Sequence, residues 1–355
     1  MKMDSFKKEL RCGIVGLGVG KKKHIPGYLS HPQAKLVAIA DTDPRKLQET
    51  GDQFNIPGRY NSLTEMLQHE KLDIVSIATP NVFHKEMTLE ALAAGCHVMC
   101  EKPIGMNAQE AEEMIAASKQ YGKRIMINYV KRNIPESVAM KQAVDQGLIG
   151  PIYYARSTWL RRRRLPGFGG WFGKKTLSGG GPLIDIGVHR LDLALWLMGF
   201  PKPVWVMAST YDHIAKGIAR KENKEFDVED FAVALIKFEN GATLELEASW
   251  CANIKDREHL TTRILGTKAG MLQRNIGDSY DSYAELYLEQ DGCQYDMKLH
   301  SADGKVQDCI YDFIEAILHD KPNSCSPQEA LFVMKILDAI YESARINQPV
   351  QIHFD

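Results

Sequence analysis

Residues 11–21 read RCGIVGLGVGK: a short apolar run that passes directly into Gly16, Gly18 and Gly20. Small and β-branched residues closed by glycines predict a buried strand turning sharply into a helix. Glycine permits the tight turn and lets the backbone come close to a pyrophosphate, which the unpaired N–H groups of the next helix attract. Gly16, Gly18 and Val19 are therefore candidate phosphate contacts. An acid answers them, because Asp41 closes the next apolar run. A carboxylate there accepts both ribose hydroxyls of an adenosine and repels a 2′-phosphate, which predicts NAD rather than NADP. Lys21 occupies the place where a third glycine usually eases helix–strand packing, with Gly20 beside it to relieve the crowding. Lys21–Lys23 read as a solvated helix start.

Outward from this stretch, residues 10–130 alternate short apolar runs with helical patterns, the sign of repeated βαβ units and a parallel sheet. Strands are predicted at Arg11–Val15, Leu36–Ala40, Ile74–Ala78, His97–Cys100 and Arg124–Asn128. Between them, Asp43-Pro44 gives a cap followed by a first-turn proline, Ser62 with Glu65 and Asn107 with Glu110 form capping boxes, and Gly95 and Gly122 stop helices. Beyond a helix near Glu136–Gln146 the pattern changes. Ile152–Leu160, Val204–Tyr211, Phe231–Phe238 and Ala242–Cys251 are rich in β-branched and aromatic residues and partly alternate, as strands of an antiparallel sheet do. A last long helix starts at Ser326-Pro327, capped with Glu329, and runs toward Arg345. The predicted division is an α/β dinucleotide-binding domain over 1–130 and an α+β domain over 131–355.

The chain has 355 residues and a formal net charge of -1, so no global field draws it to nucleic acid or to a membrane surface. No apolar run approaches the ~20 residues of a membrane span. Its N-terminus, MKMDSFKKELRCG, is charged and lacks the apolar core of a signal peptide. Seven scattered cysteines fit reduced thiols in a cytoplasmic protein. Cys96 and Cys100 flank a strand with no second pair at metal spacing, so no metal is expected.

Residues 179–192, GGGPLIDIGVHRLD, carry the chemistry of the second half. On a helix Asp185, His189 and Asp192 share one polar stripe, with Val188, Leu191, Leu195 and Met198 on a buried face. A carboxylate–imidazole pair can move a proton near neutral pH. A structural polar network fits the same spacing.

These motifs together resemble the Gfo/Idh/MocA oxidoreductases. The resemblance rests on Gly16 and Gly18 with His24, on Thr79-Pro80-Asn81 with His84, and on Glu101-Lys102-Pro103. It continues through Gly180-Gly181, Asp185, His189 and Asp192 to Trp196-Leu197 and Gly199, covering nearly the whole chain. It implies a Rossmann domain followed by an open, mostly antiparallel sheet domain, an active site between them, and assembly into homodimers or homotetramers through the free sheet face. It further implies that Lys102, Asp185 and His189 are the catalytic trio, and that Thr79, Asn81, His84, Glu101 and Lys102 line the cofactor. The chemistry agrees: oxidising a carbinol needs a base for the hydroxyl proton, here His189, and a cation for the alkoxide, here Lys102.

The stretch Trp159-Leu160-Arg161-Arg162-Arg163-Arg164 leads into an aromatic and glycine-rich loop with Trp171. Aromatic faces suit pyranose rings and arginines bind hydroxyls or acids, so Arg161 and Trp171 join Lys102, Asp185 and His189 as candidate substrate contacts. A carbohydrate or cyclitol is the implied substrate. The leading expectation is oxidation of a ring secondary alcohol of a sugar or glycoside at C3. Inositol dehydrogenation, a glycosidase that retains NAD and works by transient oxidation, and a non-catalytic dinucleotide sensor are the alternatives.

Overall fold

The computed structural model describes residues 9–300 and 307–354, so most of the charged N-terminal stretch lies outside the described residues. The chain divides into two compact units. The first comprises the chain up to Asn128 together with Gln307–Leu331. Its strands are β1 (Leu10–Val15), β2 (Ala34–Ala40), β3 (Gly58–Tyr60), β4 (Ile74–Ile77), β5 (His97–Cys100) and β6 (Ile125–Ile127). They form one parallel sheet in the order β3-β2-β1-β4-β5-β6. The order reverses at β1, whose carboxyl end is therefore the switch point where doubly wound sheets bind ligands. Gly16 sits there.

Helices α1 (Ile25–Ser30), α2 (Pro44–Phe54), α3 (Leu63–His69), α4 (His84–Ala93) and α5 (Ala108–Tyr121) connect these strands. Their local signals act as read. Asp43 accepts from the N–H groups of Arg45 and Lys46 at the head of α2. Ser62 accepts from Glu65 N, and Asn107 from Glu110 N. The return halves slip by one residue: Glu65 accepts from Asn61 N and Glu110 from Met106 N. Gly95 and Gly122 adopt positive φ past α4 and α5.

The predicted boundary at 130/131 is corrected by residues 307–331, which belong to the first unit. Helix α10 (Cys309–Leu318; α6 to α9 are given below) packs on α1 so closely that a Cβ on Gly27 would lie 3.0 Å from Ile310. Asn323 donates to the Ile125 carbonyl at 2.8 Å, and Arg124 donates to the Lys321 carbonyl and pairs with Asp320. Long-range packing of this kind leaves no mark in local composition. Strand β3 also escaped prediction, since three residues show no alternation.

The second unit comprises Tyr129–Val306 and Phe332–Asp355. Its helices are α6 (Pro135–Asp145), α7 (Lys175–Ser178), α8 (Val188–Met198), α9 (His213–Lys221) and, from the boundary onward, most of α11 (Pro327–Ile346). Its strands are β7 (Ile152–Arg161), β8 (Pro203–Tyr211), β9 (Phe231–Phe238), β10 (Thr243–Ser249), β11 (Glu258–Gly266), β12 (Ala269–Asn275), β13 (Ser282–Gln290), β14 (Cys293–Leu299) and β15 (Val350–Gln351). They form a nine-stranded sheet, β14-β13-β12-β11-β7-β10-β9-β8-β15. Every pairing is antiparallel except β7 with β10. Along β9, Ala232, Ala234, Ile236 and Phe238 are buried while Leu235 faces outward, so only one side of the sheet is covered. The covering layer includes α8, which packs on β7, β10 and β11. Among the described residues no helix is long and apolar enough to cross a membrane.

Candidate active site

At the end of β1, Gly16 takes φ +90°. A Cβ there would collide with the Ala78 carbonyl just past β4, so only glycine lets the turn pass. Gly18 has open space where a Cβ would stand, and the adjacent Val19 is exposed. Gly20 does the packing expected of a third glycine, since a Cβ would stand 2.9 Å from Ile14 Cγ2. That answers the question raised by Lys21. The helix that follows opens as a π turn, Gly20–His24, before α1 begins.

Asp41 stands half-buried after β2. Its Oδ2 accepts from Leu17 N at 2.7 Å and its Oδ1 from Asp43 N at 2.9 Å. The carboxylate is thus locked to the glycine loop, and each oxygen keeps a lone pair for a ribose hydroxyl. The donor set fits the adenosine end of NAD.

Thr79 and Asn81 follow β4, and Glu101 and Lys102 follow β5. His84 joins the two turns: Nδ1 lies 2.8 Å from the Pro103 carbonyl and Nε2 3.0 Å from the Thr79 carbonyl. Burial lowers its proton affinity, so the ring is neutral and donates to one carbonyl at a time. With a backbone carbonyl beside each ring nitrogen, His84 ties the turn after β4 to the turn after β5, the two turns expected to line the cofactor. Glu101 is likewise committed inward. Its Oε1 accepts from His24 at 2.9 Å and Asn128 at 2.8 Å, and its Oε2 accepts from Lys102 N. Burial alone would raise its pKa, but His24, Asn128 and Lys102 together hold it below the ordinary carboxylate range. Glu101 therefore fixes the backbone from which Lys102 projects.

In the second unit, the stretch with Asp185 and His189 is not one regular α-helix. Leu183–Gly187 form a π turn, and α8 starts only at Val188. This widening corrects the predicted single stripe, because the turn N-terminal to His189 holds more residues than an α-helical one. Asp185 accepts from Trp250 Nε1 at 3.0 Å. His189 is 8 % exposed and lies between two rings, Tyr129 at 6.4 Å and Trp159 at 6.1 Å between centroids. Asp192, three residues after His189 on α8, is fully buried and bound by Arg132 through two hydrogen bonds of 2.9 and 2.5 Å. Met198 is only half-buried, whereas Val188, Leu191 and Leu195 are buried as predicted.

Glu229 anchors the π turn. Its carboxylate accepts from Gly181 N (2.8 Å), Leu183 N (3.1 Å) and the Tyr341 hydroxyl (3.0 Å). The glycine run now has a reason: a Cβ on Gly180 would strike the Tyr341 hydroxyl, and one on Gly181 the Glu229 backbone. Neither Glu229 nor Trp250 was singled out from sequence, because nothing local marks their partners.

The arginine run is used internally. Glu258, buried, pairs with Arg161 at 3.2 Å and Arg164 at 2.6 Å and accepts from Trp159 Nε1. Arg161, the arginine expected to contact substrate, also reaches the Tyr280 hydroxyl, and its guanidinium braces β7 against β11. Arg163 bonds the Ala252 carbonyl and Asn253. Trp171 remains partly exposed and stacks on Phe172 at 3.8 Å, and Phe172 meets the Trp250 ring edge-on at 6.3 Å. The aromatic loop and the Asp185 turn are therefore mechanically joined within this unit.

Residues 10–129 match the family model described as "Oxidoreductase family, NAD-binding Rossmann fold", and residues 137–272 match the GFO/IDH/MocA C-terminal domain. The chain belongs to the Gfo/Idh/MocA oxidoreductase family. As an NAD-binding oxidoreductase of this family, it has similar relatives among sugar-acting enzymes. It is 31% identical to D-glucoside 3-dehydrogenase of Escherichia coli (strain K12) over 99% of this chain and 100% of that one. It is similar in structure to levoglucosan dehydrogenase in complex with NADH and levoglucosan, with 25% identity, TM-score 0.86 and coverage of 98% and 100% of the two chains. Aldose-aldose oxidoreductase of Caulobacter crescentus, complexed with glycerol, gives 27% identity, TM-score 0.82 and coverage of 97% and 100%.

Proposed function

We propose that this oxidoreductase oxidises a ring secondary alcohol of a sugar or glycoside at C3, with NAD as the hydride acceptor. One observation carries the chemistry: His189, an imidazole with little access to water, sits between two aromatic rings on a helix anchored by Glu229, one turn from Asp185. Bound NAD+ would supply the hydride acceptor, cradled by Gly16, Gly18, Val19 and Asp41, with Thr79, Asn81 and Lys102 toward its reactive end. His189 takes the hydroxyl proton at a ring nitrogen. The Lys102 ammonium stabilises the oxygen as negative charge develops on it. Asp185, held by Trp250, orients the imidazole, and Trp171 offers a face for the sugar ring. The relatives named above favour a sugar over a cyclitol, and a glucoside-3-dehydrogenase relative that spans the whole chain favours C3.

A glucoside deuterated at C3 tests this directly. The label should pass to the nicotinamide and slow turnover; reduction of NAD with the label retained in the sugar would move the reaction to another carbon. Inositols in the same assay test the cyclitol alternative. Failure of every alcohol to reduce tightly bound NAD would favour the glycosidase or sensor readings.

The same proposal extends to assembly and compartment. The uncovered sheet face sets Met207 opposite Leu235, and Arg156 beside Glu245 and Glu247. Exposed apolar pairs amid ion pairs suit the face of a second copy, so a homodimer or homotetramer is expected by light scattering. The seven cysteines are all free thiols, which fits the cytoplasm.

A further inference from the structure

Arg190 follows His189 on α8 and reaches the sheet beneath. It is 3 % exposed. Its Nη1 donates to Thr262 Oγ1 at 3.2 Å and Gln273 Oε1 at 3.4 Å, and its guanidinium carbon stands 5.5 Å over the Trp159 ring. These partners are all neutral. The Nε of Arg190 has no hydrogen-bond partner among the described residues. Other buried guanidiniums in this unit are treated differently, for Arg132 has Asp192 and Arg161 has Glu258. Burial pushes the Arg190 pKa down to about 9, which still leaves it charged at neutral pH. A buried ion without a counter-charge is costly.

A small cavity adjoins it. The volume is about 10 Å³, the room of one water-sized particle. Arg190, Lys131, Arg274, Gln273, Tyr280 and Ser282 contribute to its wall, and among the described residues no carboxylate does. Lys131 lies 5.3 Å over the Trp159 ring and 5.5 Å over that of Tyr280, so it shares the Trp159 ring with Arg190 and with Arg161, and the Tyr280 ring with Arg164. Glu258, the nearby acid, is already shared by Arg161 and Arg164.

We propose that this cavity is an anion subsite, in which a singly charged group sits at the Nε of Arg190 with Lys131 as second cation. The chemistry is that of a small monovalent anion, supplied either by a free halide or by one oxygen of an acidic arm on the substrate. The halide source is independent of the proposed reaction; the substrate source rests on it.

Diffraction from crystals of the whole protein soaked in bromide tests the site itself. An anomalous peak within hydrogen-bonding distance of Arg190 Nε is expected. In parallel, thermal unfolding is compared in potassium bromide and potassium methanesulfonate at equal ionic strength. The midpoint should rise by about 2 °C or more in bromide, by preferential binding to the folded state. Arg190→Met should abolish the difference; should that variant not fold, the bromide peak and bromide-specific shift of the native protein still decide the matter. Steady-state kinetics separate the sources. A halide occupant leaves bromide non-competitive with sugar, whereas an acidic substrate arm makes bromide competitive and gives a glucuronide at least tenfold higher kcat/KM than the glucoside. A site with neither bromide peak, bromide-specific stabilisation nor glucuronide preference overturns the proposal.

Discussion

His189 and Asp185 stand four residues apart, yet each takes its bearings from elsewhere in the second unit. Tyr129 and Trp159 enclose the imidazole, and Trp250 holds the carboxylate. His189→Ala should lower kcat by about 10²–10⁴-fold, the usual share of a general base, while NADH binding measured by fluorescence stays as in the parent. Retained turnover would reject the role. Asp41 allows a separate test in the first unit. One oxygen fastens the glycine loop at Leu17 and the other the head of α2 at Asp43, so on the proposed ribose contact Asp41→Ala should raise KM for NAD by about 10–100-fold through lost charge-assisted hydrogen bonds. Preference for NAD over NADP should narrow at the same time; an unchanged ratio of the two kcat/KM values would contradict the assignment. The proposed roles of Lys102, Asp185 and His189 come from motif and chemistry, since a carbinol oxygen needs a base and a cation. Glu229 and Trp250 were not legible, since their partners lie 48 and 65 residues away in the chain.

Elements were legible where their signals are local. The caps at Asp43, Ser62, Asn107 and Ser326 each depend on residues within a turn, and each forms. The π turn at Leu183–Gly187 depends instead on Glu229 and Tyr341 pressing on the glycine run, so the sequence pattern predicted an ordinary helix there. Strand β14 was missed although Cys293, Tyr295, Met297 and Leu299 alternate with Gln294, Asp296 and Lys298; it is exposed almost throughout, so no core stands behind its pattern. Gly181→Ala should force the turn away from Glu229 and cost about 1–3 kcal/mol, with kcat falling while the cofactor KM holds. Glu229 also sets a pH dependence. Burial raises its pKa despite the N–H donors from Gly181 and Leu183. Above the ordinary carboxylate range the folded protein thus keeps a proton that the unfolded chain has released. Its stabilising contribution is full at acid pH and declines as pH rises through the folded value. Glu229→Gln lacks this titration. The melting temperature of the parent relative to the variant should therefore fall from mildly acid to mildly alkaline pH, and a flat difference across that range would show that the buried carboxylate is ionised throughout.

At the scale of the whole chain, the order of segments in sequence is not the order of packing. The parallel sheet was legible because every strand but β3 is a buried apolar run. The return of residues 307–331 to the same unit was not, for α10 is an amphipathic helix whose partner, α1, precedes it by nearly the full chain length. Ile310 and Phe313 are almost wholly buried, and each is worth about 1.5–3 kcal/mol of apolar transfer. Stability of a single domain is of the order of 5–15 kcal/mol, so losing both contacts removes a large fraction of it. Residues 1–128 expressed alone should accordingly unfold without a sharp transition and expose apolar surface to a hydrophobic dye. Joining residues 307–331 to them through a flexible linker, in place of 129–306, should restore cooperative unfolding and NADH binding. The added segment brings back α10, the Asn323 bond to β6 and the Arg124–Asp320 pair. Equal stability of the two fragments would mean that the parallel sheet closes its own core and that 307–331 merely rests upon it.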